Sequence, residues 1–403
     1  MKIQYILSAL LCLCLLIAPA AAAGGAGTAS NPYIIQTPAE LQSIANDLSA
    51  YYVLGNDINM DGLSFTPIGS TAAPFFGSLD GRDYTIRNLN IDLPSTQYVG
   101  LFAVITAGTT ISDLNFENCT ITGNSNVGVL YGRCNGVSGI TTEFSVSDVD
   151  IENCTVSARG YVVGGICGSN GNSATGTISY CDTDNCTVSA GGYVVGGICG
   201  YLSTGVSTNV EIIDCSVFGS EIRSPGSYDV GGICGYLSTG GSNGYAYNCI
   251  VRNCHISAGS YNVGGICGTL STSSSNGYAY NCIVRNCYIS AGSSPVGGIC
   301  GYLSTGVSTV GLVENCVVRN SIMVGNIYVG GVCGILSNTG SNGNANDNVV
   351  ENCTVSARSS YAGGIAGCKY AAGFGNLSGN SVSSTTILAS SYAGGICPMF
   401  TRT

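Results

Sequence analysis

Apolar residues in the larger, C-terminal part of the chain recur in a pattern that predicts short β-strands. The motif Val-Gly-Gly-Ile-Cys-Gly, here called the glycine motif, returns in full or varied form ten times between Val99 and Cys397, mostly at intervals near 33 residues. A second segment, such as Leu114 to Ile121, precedes it in each later unit. Its apolar side chains lie five and three positions before a cysteine, at the cysteine and two positions after it. Side chains on a straight strand point alternately to its two faces. The apolar positions change from odd to even distances at the cysteine, so the chain must bend between the residue three positions before the cysteine and the cysteine itself.

Each unit therefore predicts two short strands around a corner and a third strand at the glycine motif. The asparagine directly before the cysteine suits the corner, because asparagine reaches the left-handed backbone region at low cost. Units of about 33 residues with three strands predict an all-β chain, a parallel β-solenoid of about ten coils. An array of small hairpin domains is the competing interpretation.

The residues before the repeats predict one short helix and the first strands. Thr37, Pro38 and Glu40 form a capping box with proline at the first helical position, and apolar residues follow at helical spacing as far as Leu48. We expect a helix over 38–48. The chain then divides into a signal peptide (1–23), an N-terminal segment with a flexible lead, a cap helix and first strands (24–95), and the solenoid repeats (96–403).

The first 23 residues predict export. Lys2, an apolar run from Ile6 to Ile17 and three alanines at 21–23 follow the order of a secretory signal. Twelve apolar residues are fewer than the about 20 that cross a bilayer. We therefore expect cleavage near Ala23 and no membrane span afterwards.

Charge is scarce, and its balance excludes two classes of partner. Charged residues make up 8% of the chain, with 22 acidic and 12 basic residues. Neither a basic patch nor a basic helix is available, which argues against nucleic acid or an anionic membrane as partner. So little surface charge predicts that the outer face is covered by copies of the same chain.

Twenty cysteines remain after removal of Cys12 and Cys14, and an even number in an exported chain indicates disulfides. One cysteine of each unit lies at the corner and another at or just after the glycine motif. We predict eight bonds within coils: Cys119 with Cys134, Cys154 with Cys167, Cys186 with Cys199, Cys215 with Cys234, Cys254 with Cys267, Cys287 with Cys300, Cys316 with Cys333, and Cys353 with Cys368.

Two of these pairs assume that a neighbouring residue replaces the regular cysteine. Cys316 stands in for the corner residue Ser321, and Cys368 for the motif residue Ala366. Cys249 and Cys282, one period apart, are candidates for a ninth bond between coils. Cys181 and Cys397 are left as free or intermolecular thiols. The alternatives are buried thiols that pack as small apolar groups or a metal site, although no Cys-x2-Cys motif occurs.

The sequence offers little for catalysis, and we expect no enzyme, cofactor or metal. His255, the single histidine, occupies a position filled by other residues in other units. Asp148, Asp150 and Glu152 form the densest acidic group, and their spacing predicts one solvated strand face. A tyrosine shortly before the glycine motif recurs in most units and indicates a structural ladder, with sugar binding as the alternative.

The glycine motif resembles the GLUG motif, a repeat of secreted and cell-surface proteins in bacteria and archaea. The resemblance covers about residues 95 to 397. It implies no chemistry, since the motif also occurs in a non-catalytic region of immunoglobulin A proteases. Together with the abundant cysteine, the repeats are also similar to the sheath proteins of some methanogenic archaea.

These observations predict an extracellular structural protein of the cell envelope, which assembles into a layer or sheath. The expected partner is the chain itself, with other envelope components as further partners. A strand edge left open after the last glycine motif would recruit another copy. The alternatives are a surface adhesin that binds glycan or protein and, less favoured, a polysaccharide lyase or hydrolase.

Overall fold

The computed structural model describes residues 24–136, 142–205, 208–226, 228–293, 295–370, 372–398 and 400–401. The predicted signal peptide lies outside the described residues. Within them, no helix has the length and apolar character needed to cross a bilayer.

The described chain is an all-β parallel solenoid with one short α-helix, which confirms the predicted fold class. Three sheets contain ten stacked strands each, which corresponds to nine turns from first to last, and a fourth sheet contains 20 strands. Every pairing between named strands is parallel and joins one coil to the next.

The helix spans Pro38–Ser43 and continues as a 3-10 turn over Ile44–Asn46. The predicted capping box is present, because Thr37 accepts from the Glu40 amide and the Glu40 carboxylate accepts from the Thr37 amide. The helix ends before the predicted Leu48. Asp47 has an extended backbone, and its carboxylate accepts from the Ser49 amide and starts a turn.

A complete coil contains five short strands, whereas the sequence predicted three. The first and second strands of all coils form the 20-stranded sheet. First strands are Tyr33–Ile35, Tyr51–Leu54, Ser78–Asp80, Thr110–Glu117, Phe144–Glu152, Thr175–Ser179, Asn209–Ile213, Asn243–Tyr247, Asn276–Tyr280, Val310–Glu314 and Asn342–Asn346. Thr110–Glu117 and Phe144–Glu152 continue through the second position, and the other second strands are Ile58–Asn59, Thr85–Arg87, Asp182–Asp184, Ser216–Phe218, Ile250–Arg252, Ile283–Arg285, Val317–Arg319, Val349–Glu351 and Ser381–Ser383.

The third, fourth and fifth strands each form a ten-stranded sheet. Third strands are Asn90–Asp92, Thr120–Gly123, Thr155–Ala158, Thr187–Ala190, Glu221–Ser224, His255–Ala258, Tyr288–Ala291, Ile322–Gly325, Thr354–Ala357 and Thr386–Ala389. Fourth strands are Gln97–Val99, Ser125–Val127, Val162–Gly164, Val194–Gly196, Val230–Gly231, Val263–Gly264, Val296–Gly297, Tyr328–Gly330, Tyr361–Gly363 and Tyr392–Gly394. Fifth strands are Phe102–Thr106, Tyr131–Asn135, Cys167–Asn170, Cys199–Thr204, Cys234–Thr239, Cys267–Thr272, Cys300–Thr305, Cys333–Ser337, Ala366–Tyr370 and Phe400–Thr401.

Two left-handed corners separate the first three strands of a regular coil. The first corner lies between the first and second strands, as at Asn248 with φ 55°, and the second lies between the second and third strands, as at Asn253 with φ 58°. The second corner is the predicted Asn-Cys bend, which is confirmed. The first was not predicted.

The glycine motif forms the tight connection between the fourth and fifth strands. A Cβ atom added at Gly231 would meet the Cys234 carbonyl oxygen and would lie 2.6 Å from the Cys267 Cα of the next coil. Only glycine allows backbone segments to approach this closely. Aliphatic side chains of the other strands, such as Val188 and Ile222, stack in the core with 0% exposure.

Candidate functional sites

The cysteines stack into columns that run along the solenoid axis, one residue per coil. The second-corner column contains Cys119, Cys154, Cys186, Ser220, Cys254, Cys287, Ser321, Cys353 and Thr385. The first-corner column contains Cys181, Cys215, Cys249, Cys282, Cys316 and then Asn348. The motif column contains Cys167, Cys199, Cys234, Cys267, Cys300, Cys333 and then Ala366.

This register corrects the assumption that neighbouring cysteines replace a missing one. Cys316 lies in the first-corner column, and Ser321 itself occupies the second corner. Cys215 also lies in the first-corner column, and Ser220 occupies the second corner of its coil, next to Cys186 of the preceding coil. Cys368 lies opposite Ile335, two positions beyond the motif column.

Thiols and hydroxyls perform the same task at the second corner. The Cys119 amide donates to the Cys154 Sγ at 3.3 Å, and the Cys154 Sγ donates to its own coil's Glu152 carbonyl at 3.2 Å. Ser220 repeats both bonds, since its Oγ accepts from the Cys186 amide at 3.0 Å and donates to the Phe218 carbonyl at 2.9 Å. The corner side chain therefore links two coils by hydrogen bonds.

The hydrogen bonds between cysteines thus join neighbouring coils along a column. The Cys181 amide donates to the Cys215 Sγ at 3.4 Å, so Cys181 has a thiol beside it. Cys249 and Cys282 are neighbours in the first-corner column, as the proposed ninth bond requires. Nineteen of the twenty described cysteines are buried, and Cys397 is half-buried. The predicted bonds within coils, including Cys119 with Cys134, stay a prediction.

Burial keeps most of these thiols protonated. It raises the pKa of Cys234 and of Cys300 well above the ordinary thiol value, because the interior disfavours a thiolate. Among the described residues, no three His, Cys, Asp or Glu side chains are arranged to hold a metal ion.

The tyrosines before the glycine motif form two ladders rather than one. Tyr161, Tyr193, Tyr228 and Tyr261 stack with ring centroids 4.2–5.0 Å apart. Tyr328, Tyr361 and Tyr392 lie one residue closer to the motif and stack at 5.5 and 5.1 Å. Rings stacked so closely cover each other's faces, on which a sugar would pack. This geometry favours the structural role of the ladders.

Asp229 is a buried carboxylate that the sequence analysis missed. It is 0% exposed, and its Oδ1 accepts from the Asn262 Nδ2 at 2.6 Å and from the Thr269 hydroxyl. Burial raises its pKa to about 6, against the lowering effect of hydrogen bonds from Thr269, Tyr236 and Asn262. Its register partners are Val194 on the preceding coil and Asn262 on the next, so an acid at a position occupied by uncharged residues on the neighbouring coils was the available signal.

The predicted acidic group is divided by a corner. Asp148 is itself at the first corner, with φ 52°, so it does not share a straight strand face with Asp150 and Glu152. Those two continue onto the next coil with Asp182 and Asp184. Burial and the neighbouring Asp182 raise the pKa of Asp150 to about 6.

His255 begins a third strand and is exposed. Its ring meets Tyr288 of the next coil edge-on at 5.2 Å.

No family model matches the chain. A 120-residue stretch is 38% identical to halomucin of Haloquadratum walsbyi, and it covers 27% of this chain and 1% of that protein. A 108-residue stretch is 34% identical to a provisionally named Gly-rich membrane protein of Evansella cellulosilytica, and it covers 25% of this chain and 12% of that protein. The chain thus matches only a small part of either relative.

Two solved structures align with most of this chain at low similarity. One is a provisionally assigned immunoglobulin A1 protease from Bacteroides ovatus, with 19% identity, a TM-score of 0.38, and coverage of 92% of this chain and 86% of that one. The other is an IgA1 protease, with 15% identity, a TM-score of 0.28, and coverage of 91% and 22%.

Proposed function

We propose that this chain is a structural protein of an extracellular layer of the cell envelope and that it acts by associating with copies of itself. The proposal includes no catalysis. The observation that carries it is a row of exposed apolar side chains repeated from coil to coil on the solenoid.

This surface, here called the apolar patch, lies on the second and third strands of the middle coils. Ile250 and Ile283 are register partners and are 39% and 36% exposed, and Tyr288 and Ile322 are register partners that are 40% and 43% exposed. Soluble monomers rarely leave a contiguous apolar patch uncovered, and such patches mark interaction sites.

Aromatic side chains extend the patch onto the first strands of two coils. Tyr245 stacks on Tyr278 at 5.0 Å, and Tyr247 stacks on Tyr280 at 5.4 Å. Tyrosine is enriched at protein interfaces, because its ring buries apolar area while its hydroxyl remains hydrogen-bonded. The four rings form a rigid surface suited to packing against another chain.

One similar protein supports a location in the envelope. The relative from Evansella cellulosilytica is named as a membrane protein and as Gly-rich, and this chain contains 60 glycines in 403 residues. The resemblance of the glycine motif to the GLUG repeat of cell-surface proteins supports the same location.

Negative-stain electron microscopy of the purified chain tests the proposal. We expect ordered tubes or sheets. Replacement of Ile283 and Ile322 by threonine, which keeps β-propensity, should reduce assembly. The matched control is Val307→Thr, since Val307 is 71% exposed outside the strands. Monomers at all concentrations, or assembly unaffected by the double substitution, would contradict the proposal.

A further inference from the structure

Charged residues on the second strands form one column, here called the charge column, whose two halves have opposite sign. The column is the last residue of each second strand, and the register aligns it from coil to coil. On three successive coils it is acidic and, after one coil with Phe218, it is basic on the next three. These six residues are Glu117, Glu152, Asp184, Arg252, Arg285 and Arg319.

The column is antisymmetric about Phe218. One coil from Phe218 lie Asp184 and Arg252, two coils away Glu152 and Arg285, and three coils away Glu117 and Arg319. The outer positions continue the relation: four coils away lie Arg87 and Glu351, and five coils away the neutral Asn59 and Ser383. Every charge thus has its opposite at the same distance on the other side of Phe218.

Within a single chain this arrangement is unfavourable. Neighbouring coils are about 4.8 Å apart, so the three acids stack on one another, as do the three arginines, and like charges directly opposite destabilise a sheet. Between described residues of the column, ion pairs form only where the sign changes at the outer positions, Arg87 with Glu117 at 2.7 Å and Arg319 with Glu351 at 2.8 Å. Glu152, Asp184, Arg252 and Arg285 have no ion-pair partner there.

We propose that the charge column binds the same column of a second copy, antiparallel, about a two-fold axis through Phe218. This inference rests on the proposed self-association and names its partner surface. A two-fold interface matches each residue with the one at the mirrored position. Asp184 then faces Arg252 of the other copy, Glu152 faces Arg285, Glu117 faces Arg319 and Arg87 faces Glu351.

The side chains are available for this contact. Glu152, Arg252, Arg285 and Arg319 are exposed, and Phe218 at the centre is half-buried. The Arg252 guanidinium lies 5.2 Å from the Phe218 ring centroid, so the residue on the proposed axis is an aromatic ring with a cation beside it.

Sedimentation velocity of the full chain at low salt tests the inference with two charge-reversal variants. Variant one is Arg252→Glu, Arg285→Glu and Arg319→Glu, and variant two is Glu117→Arg, Glu152→Arg and Asp184→Arg. In a dimer of either variant alone, each altered residue faces a residue of the same charge on the other copy. We therefore expect each variant alone to lose the two-fold dimer. An equimolar mixture restores opposite charges at every position, so we expect the dimer to return.

A third variant controls for net charge: Arg159→Glu, Arg223→Glu and Arg358→Glu change it as variant one does, and all three residues lie outside the charge column. It should dimerise like the unaltered chain, and circular dichroism should show β-structure in all variants. Dimers that persist in both reversal variants, a mixture that stays monomeric, or an unaltered chain that is monomeric at low salt would overturn the inference.

The two proposals fail in different ways. Ordered layers that both reversal variants still form would overturn the charge-column contact and leave the layer function standing. A discrete dimer of the unaltered chain that is lost in the variants, restored in the mixture and never grows into layers would support the contact and count against the layer function.

Discussion

At the second corner, what the position requires is a short side chain that both donates and accepts a hydrogen bond. Cysteine, serine and threonine all occupy the column, and the Thr385 Oγ1 accepts from the Cys353 amide at 3.3 Å as the cysteines do. A column held only by disulfides would not tolerate hydroxyls. The hydrogen bonds alone therefore account for the residues at this corner.

We predict that Cys154→Ser leaves stability nearly unchanged under reducing conditions, whereas Cys154→Ala lowers it. Alanine leaves the buried Cys119 amide without its acceptor, at a cost of about 1–3 kcal/mol. Urea unfolding followed by circular dichroism measures both. Equal losses for serine and alanine would contradict the hydrogen-bonding role.

We predict that Asp229 makes stability depend on pH. Its pKa is raised from 3.8 to about 6 by burial, so folding favours the protonated acid. The stabilisation is complete below about pH 4 and is lost as pH rises through about 6, a change of about 3 kcal/mol at most. Asp229→Asn should flatten this part of the profile of unfolding free energy against pH. A profile equally steep in the variant would refute the assignment.

The sequence predicted one corner correctly and missed the other for a definite reason. The Asn-Cys bend was predicted from the switch in the alternation of apolar positions and from the asparagine before the cysteine. Asn118 is one example and has φ 57°. The first corner has the same local pattern, five residues earlier, as at Asn248 and Asn253. Where only one cysteine is present, as at Cys316, spacing alone does not tell which corner it occupies. The register supplies that answer.

At the scale of elements, the glycine motif determines how closely coils approach. A Cβ atom at Gly364 would clash with the Gly395 carbonyl oxygen of the next coil, whereas one at Gly395 meets nothing within 4 Å. The two glycines hold the same place in successive motifs, and neither has a positive φ. They therefore separate the effect of close approach from that of backbone propensity.

We predict that Gly364→Ala weakens the coil beyond it, whereas Gly395→Ala has a small effect. The first forces backbone of two coils apart, with a loss of about 2 kcal/mol or more, and the second changes only chain entropy, by less than about 1 kcal/mol. Hydrogen exchange of the third strand Thr386–Ala389 reports the local loss. Equal protection in the two variants would contradict the packing explanation.

The sequence predicted three strands per coil because it located strands from apolar alternation alone. The fourth and fifth strands meet at the glycine motif, which the sequence analysis assigned to one strand. Val263–Gly264 and Cys267–Thr272 are in fact separate elements. Two glycines in a row allow a bend within two residues, and such a bend leaves the apolar alternation of the motif without a detectable break.

At the scale of the molecule, period and stacking were predictable, whereas the charge column was not. Intervals between motifs vary around 33 residues, so Glu117 and Glu152 are 35 apart and Glu152 and Asp184 are 32 apart. A fixed period therefore does not align them. The strand register aligns them and places Asp184 and Arg252 one coil on either side of Phe218.

We predict that removal of one coil preserves the fold and weakens the dimer. Deletion of residues 248–280 joins Tyr247 to Asn281, and Tyr247 and Tyr280 are register partners, so the new junction has a native sequence. The deletion removes Arg252, and with the two-fold axis moved to the midpoint between Asp184 and Phe218, Asp184 faces the uncharged Phe218 of the other copy. One of the four charge matches is lost, once on each side of the axis, so the dimer should weaken roughly fivefold. Sedimentation velocity at low salt measures this.

Deletion of residues 214–247 is the matched control, because it also removes one coil but keeps every charge of the column. It joins Ile213 to Asn248, again at register partners, and removes Phe218, so the two-fold axis moves to the midpoint between Asp184 and Arg252. All four opposite-charge matches then survive, and the dimer should persist. Because both deletions shorten the solenoid equally, a difference between them reports the order of charges along the column and not its length. Equal weakening in both would show that the order of charges does not govern association.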